Sequence, residues 1–170
     1  SASAACLVWM FIEWIKFGKP SLVGIATGAI AGLATITPGS GFVGPVGGLI
    51  YGILAGTICF YMIDVIKSKF KIDDSLDVFA VHGVGGMLGI ILTSFFAHKS
   101  FGGLGLGENV TIGTAFSAQL IATIVTVIWA ALATYIIILV VRATVGLRVN
   151  EEDESEGLDL SSHGERGYDL

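Results

Sequence analysis

The sequence predicts an all-α fold, a polytopic bundle of membrane helices, and three observations carry that prediction. Hydrophobic residues make up 54% of the chain against 14% charged, with a mean hydropathy of +0.83. A soluble domain carries about 25% charge, so this chain has too little polar surface to face water on all sides, and lipid is the expected solvent. The apolar residues fall in long runs without period-two alternation, which points to helices and away from strands. Glycine supplies 24 of the 170 residues, about twice its usual share, and in membranes glycine lets helix backbones approach closely.

Five runs are candidate spans, because a bilayer core of roughly 30 Å takes about 20 apolar residues of helix. The first covers residues 2–15. It is short for a span and reads as truncated, its outer turns belonging to a preceding segment. The others cover 21–36, 45–66, 78–97 and 110–141. Residues 1–149 therefore form a transmembrane part, and 150–170 an acidic cytoplasmic tail. The fifth run has about 32 residues, roughly 48 Å of helix. One long helix is expected there, strongly tilted and lying across the other spans.

Charge orients the spans. Lys16 and Lys19 follow the first run, Lys67, Lys69 and Lys71 the third, and Arg142 and Arg148 the fifth. If every run crosses, all seven lie on one side, and Lys99 alone lies on the other. The positive-inside rule then places the C-terminus in the cytoplasm of a cell-membrane protein. The net charge of −5 comes from the tail: eight of the fourteen acids follow Asn150. No basic stripe suggests nucleic acid. Cys6 and Cys59 sit inside apolar runs, where packing is expected and neither a disulfide nor a metal site.

Small residues recur at four-residue spacing, which places them on one helix face. Gly24, Gly28 and Gly32 do so on the second run, Gly48, Gly52 and Gly56 on the third, Gly85 and Gly89 on the fourth. Such a seam fits helices around a narrow pore, but spacing alone favours helices packed with no pore.

Chemistry concentrates between Asp73 and Gly89. Asp73, Asp74 and Asp77 stand where the fourth run begins, and carboxylates there cap free N–H groups and complement the helix dipole; a cation site is the other reading. His82 comes one turn later among apolar and glycine residues. An ionisable group at that depth should avoid lipid, so His82 is expected to be buried, facing the bundle interior beside Val78. A neutral imidazole offers one donor and one acceptor. That suits a small hydrogen-bonding substrate, a proton relay or a second histidine, and equally a packed histidine bonded to a backbone carbonyl. Glu13 is expected to pair with Lys16, and Asp64 with Lys67, at the interface.

The pattern Asp-Asp-x-x-Asp-x-x-x-x-His-x-x-x-Gly-x-x-Gly formed by Asp73 to Gly89 resembles the opening of the tenth transmembrane helix in ammonium transporters of the Amt/Mep/Rh family. Other pieces occur in the family's order. Trp9 to Trp14 and Gly18 to Leu22 are similar to the end of the seventh helix and the start of the eighth; Gly28 to Leu33, Thr37-Pro38 and Gly41 resemble the eighth. Thr144 to Val149, Glu156 to Asp159, His163 to Glu165 and Tyr168 are similar to the cytoplasmic tail.

The resemblance implies the C-terminal part of an eleven-helix inverted-repeat fold, running from the middle of the seventh helix to the tail. It implies homotrimers with one hydrophobic pore per subunit, lined by two histidines. His82 matches the histidine of the tenth helix and Val78 a pore-wall position. The partner histidine belongs to the fifth helix, which this chain lacks, as it lacks the aromatic outer site. In the tail, Gly146, Leu147, Arg148, Gly157, Leu158, Asp159, His163, Gly164 and Tyr168 match a regulatory element docked on the inner face near Lys67, Lys69 and Lys71, and a surface for a PII-type signal protein. Read from composition alone, that tail is an acidic solvated extension. The expected function is ammonium/ammonia transport, without enzymatic chemistry, cofactor or metal. The alternatives are an ammonium-sensing module that signals to a cytoplasmic partner, and a membrane enzyme using His82 and the Asp cluster as metal ligands.

Overall fold

In a computed structural model the described residues, 1–167, are helical and looped, and they divide into two compact units, Ser1–Ile124 and the residues from Val125 onward. Tyr168, one of the tail positions singled out above, lies outside the described residues.

In the first unit, α1 (Ala2–Phe17) ends at Gly18, whose left-handed φ of 77° turns the chain while its N–H bonds the Trp14 carbonyl. The start of α2 (Leu22–Ile36) is capped by Ser21, whose hydroxyl accepts the Gly24 N–H at 2.8 Å. Pro45 opens α3 (Pro45–Asp64), where its missing N–H costs nothing. Regular α4 covers Val84–Phe96, and α5 runs without a break over Ile112–Thr144. Two wide π turns were not foreseen: Val65–Lys69 extends α3, and Phe79–Gly83 leads into α4. Among the described residues, four helical stretches, Leu22–Gly39, Pro45–Lys69, Phe79–Phe96 and Ile112–Thr144, are long and apolar enough to cross a membrane. At 16 residues, about 24 Å, α1 is shorter than a bilayer core.

The core of this unit is built from small side chains. Ala5, Ala31, Ala55, Cys59, Val81 and Trp9 form one buried cluster, and Trp9 meets the edge of Phe60 at 5.2 Å between ring centroids. The glycine seams bring helices together. Gly28 lies on Trp9, Gly32 on Ala2 and Ala5, Gly56 on Ala5 and Val8, and Gly85 and Gly89 on Thr35; Gly48 alone of the eight faces open space. Hydroxyls in these apolar helices mostly return to their own backbone, as in Thr27 to Val23, Thr57 to Ile53 and Thr93 to Gly89. Tyr51, fully buried, bonds Thr93 Oγ1 at 3.0 Å and the Gly89 carbonyl at 3.3 Å. Thr35 Oγ1 and Ser94 Oγ are buried without a hydrogen-bond partner among the described residues.

Two expected ion pairs are replaced by other contacts. Glu13 does not pair with Lys16; its carboxylate reaches α2, accepting the Ser21 N–H at 2.7 Å and the Ser21 hydroxyl at 3.1 Å. A helix N-terminus offers free donors to an anion. Lys16 lies over the Phe60 and Tyr61 rings, 5.2 and 4.7 Å from their centroids. Lys67 reaches Asp77 at 2.7 Å, not Asp64.

Residues 112–124 of α5 belong to the first unit, where Phe116 packs on Phe95 at 5.8 Å. The second unit takes up the rest of α5, α6 (Glu151–Glu156) and α7 (Leu158–His163). The stretch that composition describes as a solvated tail thus has helical structure. Asn150 caps α6 through the Asp153 N–H at 2.8 Å, and Arg148 reaches Glu154 at 3.2 Å. Gly157 and Gly164 take φ of 98° and 65° at the two ends of α7, conformations that cost a residue with a Cβ.

Candidate functional site

The entry to α4 begins with the acidic motif. Asp74 caps it twice: Oδ1 accepts the Val78 N–H at 2.8 Å and Oδ2 the Phe79 N–H at 2.9 Å. Asp73 is exposed and accepts the Ser75 hydroxyl at 3.3 Å. Asp77 stands apart. Its φ is 57°, its carbonyl accepts the Val81 N–H at 2.9 Å, and its carboxylate is the partner of Lys67. The three acids therefore do different work: one caps, one ties two helices, and one faces solvent. Among the described residues no three His, Cys, Asp or Glu side chains are grouped to hold a metal ion.

His82 sits inside the wide turn Phe79–Gly83. The expected burial is not found: His82 and Val78 are both exposed on the first unit. The reason is which side of this segment its neighbours take. Ala80 and Val81 are buried, and Gly85 and Gly89 seat on Thr35 of α2. Val78, Phe79 and His82 point elsewhere, and the space beside Gly86 is open. His82 and Val78 are thus both exposed, on a segment that Asp74 caps and Asp77 ties to Lys67. The sequence reading paired Lys67 with Asp64 and so missed its place beside Asp77. Its signal was present, since Lys67 and Asp77 are opposite charges at the two ends of one short loop.

The tail residues lie in the second unit. Leu147, Arg148, Val149, Glu154 and Leu158 line a small open groove of about 230 Å³. Gly146 closes the C-terminus of α5 at φ 83°, its N–H bonding the Val141 carbonyl at 3.1 Å. Asp159, in the first turn of α7, accepts the Glu165 N–H through its carbonyl at 2.9 Å, and His163 is exposed in the last turn.

An ammonium transporter of Aquifex aeolicus is 44% identical, covering 100% of this chain and 40% of that protein. One of Bacillus subtilis is 41% identical, covering 99% and 42%. Among solved structures, a sensor Amt protein superposes with a TM-score of 0.83 at 28% identity, over 95% of this chain and 39% of its own. Saccharomyces cerevisiae Mep2 superposes with a TM-score of 0.72 at 31% identity, over 89% and 35%. The chain spans about two fifths of the length of the curated relatives it matches. Its all-helical architecture agrees with these polytopic bundles, and its apolar helices with a place in the membrane. The family described as the Ammonium Transporter Family matches residues 1–168, and the chain belongs to that family.

Proposed function

We propose that this chain is the C-terminal part of an ammonium transporter, from the middle of its seventh helix to its cytoplasmic tail, and that His82 and Val78 line its conduction path. The observation that carries the reading is the patch at the entry to α4. A histidine and a valine four residues apart are both exposed, on a segment whose neighbouring residues Ala80 and Val81 are buried. An exposed apolar face with one imidazole is poorly matched to lipid. It is well matched to a narrow path completed by the rest of a longer protein.

The physics of such a path selects the neutral species. A bare ammonium ion entering an apolar constriction loses its hydration, whereas ammonia loses far less. Ammonium would leave a proton near the mouth, and ammonia would cross while the His82 imidazole donates or accepts one hydrogen bond. Val78 would keep the adjoining wall dry.

The remaining expectations attach to this reading. The positions of Lys16, Lys19, Lys67, Lys69, Lys71, Arg142 and Arg148 along the chain support a cytoplasmic C-terminus. Homotrimer assembly and a PII-type partner at the tail are implied by the family resemblance. The folded α6–α7 segment gives such a partner a shaped surface. Transport is preferred to sensing because the curated relatives carry the names of transporters.

The test is flux through the full-length protein in liposomes, read as an ammonium-driven pH change. His82→Ala should lower it about tenfold, the equivalent of one lost hydrogen bond to the permeating species. Wild-type flux in that variant would remove His82 from the path.

A further inference from the structure

We propose that Lys67 is a positioning residue for His82: its ion pair with Asp77 holds the wide turn that sets the direction of the imidazole. The proposal rests on the reading that His82 lines the conduction path.

The geometry runs through bonded neighbours. Lys67 lies in the wide turn Val65–Lys69 that extends α3, and its Nζ stands 2.7 Å from Asp77 Oδ1. Their side chains are 38% and 21% exposed, so the pair is partly shielded from water. Asp77 holds φ at 57°, a left-handed conformation that few residues other than glycine, asparagine and aspartate adopt. Its carbonyl then accepts the Val81 N–H, and the Phe79 carbonyl accepts the Val84 N–H to close the wide turn around His82.

Wide turns of this kind are rare inside helices and recur at functional sites. Relaxing this one to ordinary α geometry would remove a residue from the turn. The segment from Asp77 to His82 would then rotate by about 100° relative to the body of α4. The body of α4 cannot take up that rotation, because Gly85 and Gly89 are seated against Thr35. His82 and Val78 would have to move instead. Asp74 cannot prevent this, since its two bonds go to Val78 and Phe79 within the same segment. Packing of Val81 on Ala55 and Cys59 also joins that segment to α3, and Lys67 adds an ion pair at Asp77, where the segment begins.

The experiment uses the full-length protein in lipid nanodiscs with ¹⁵N-labelled histidine, the His82 signal being assigned by its loss in His82→Gln. Lys67→Met and Asp77→Asn should each shift the His82 imidazole signal. Each should also speed amide exchange at Val81 and His82 about tenfold. The exchanged pair, Lys67→Asp with Asp77→Lys, should restore both readouts. Ammonium flux should fall about three- to tenfold in the single variants and recover in the exchanged pair. Lys67→Met leaves the Asp77 side chain in place, so it reads the tie even if Asp77→Asn fails to fold. A His82 signal and Val81 exchange unchanged in Lys67→Met would overturn the proposal. So would an exchanged pair that folds with wild-type thermal stability but leaves the signal shifted. Wild-type flux in His82→Gln would instead sink the conduction reading, and the imidazole signal would still judge the tie.

Discussion

At the scale of single residues, Gly89 fixes how closely α4 can approach α2. A Cβ built there falls on the Thr35 carbonyl, which is backbone and cannot swing aside. Gly89→Ala should therefore destabilise the full-length protein by about 1–3 kcal/mol through overpacking, read as a lower thermal midpoint in detergent. Tyr51→Phe should cost less, about 1 kcal/mol, since it removes only the hydroxyl that bonds Thr93 and Gly89. A larger loss in Tyr51→Phe than in Gly89→Ala would reverse the assigned order. The glycines were legible in the sequence because spacing alone places them on a face. The environment of His82 was not. Sequence shows that an imidazole lies one turn into an apolar run, but not which side of that run α2 and α3 will cover. The same blindness paired Lys67 with Asp64 and Glu13 with Lys16. Local spacing ranks neighbours along a helix, whereas the actual partners, Asp77 and Ser21, come from the next element.

At the scale of elements, the entry to α4 depends on Asp74. It accepts two N–H groups at the start of the helical segment, where no earlier turn supplies a carbonyl. Asp74→Ala should cost about 1–2 kcal/mol and raise amide exchange at Val78 and Phe79 while leaving α2 protected. Equal exchange across both helices would mean that the acid does not act locally. In the second unit, Gly157 holds φ at 98° between α6 and α7. Gly157→Ala should unravel α7 first, read as faster exchange from Leu158 to His163 by about tenfold; unchanged rates would show that α7 does not depend on this turn. The single long α5 was legible because its apolar run has no internal proline, glycine pair or polar break. The wide turns at Val65–Lys69 and Phe79–Gly83 had no such signature, because five residues of apolar pattern fit an α turn and a π turn equally well. Helices α6 and α7 were hidden by composition: eight acids read as mutual repulsion, while Asn150 capping and the turns at Gly157 and Gly164 depend on particular residues.

At the scale of the whole molecule, the proposed path through this membrane helix bundle needs more protein than these 170 residues. On the proposed reading the path lies between two repeats, and a site built between two repeats is incomplete with one. This chain alone in liposomes should give no saturable, ammonium-selective flux, and adding the complementary N-terminal part should restore it; flux from the chain alone would rule out a path shared between two parts. The most direct test asks whether Val78 touches the path. In the full-length protein, with Cys6 and Cys59 replaced by alanine, Val78→Cys is treated with a small thiol reagent while ammonium flux is recorded. If Val78 lines the path, modification abolishes flux and ammonium slows the modification. A fully modified protein that still conducts at its initial rate would contradict that placement.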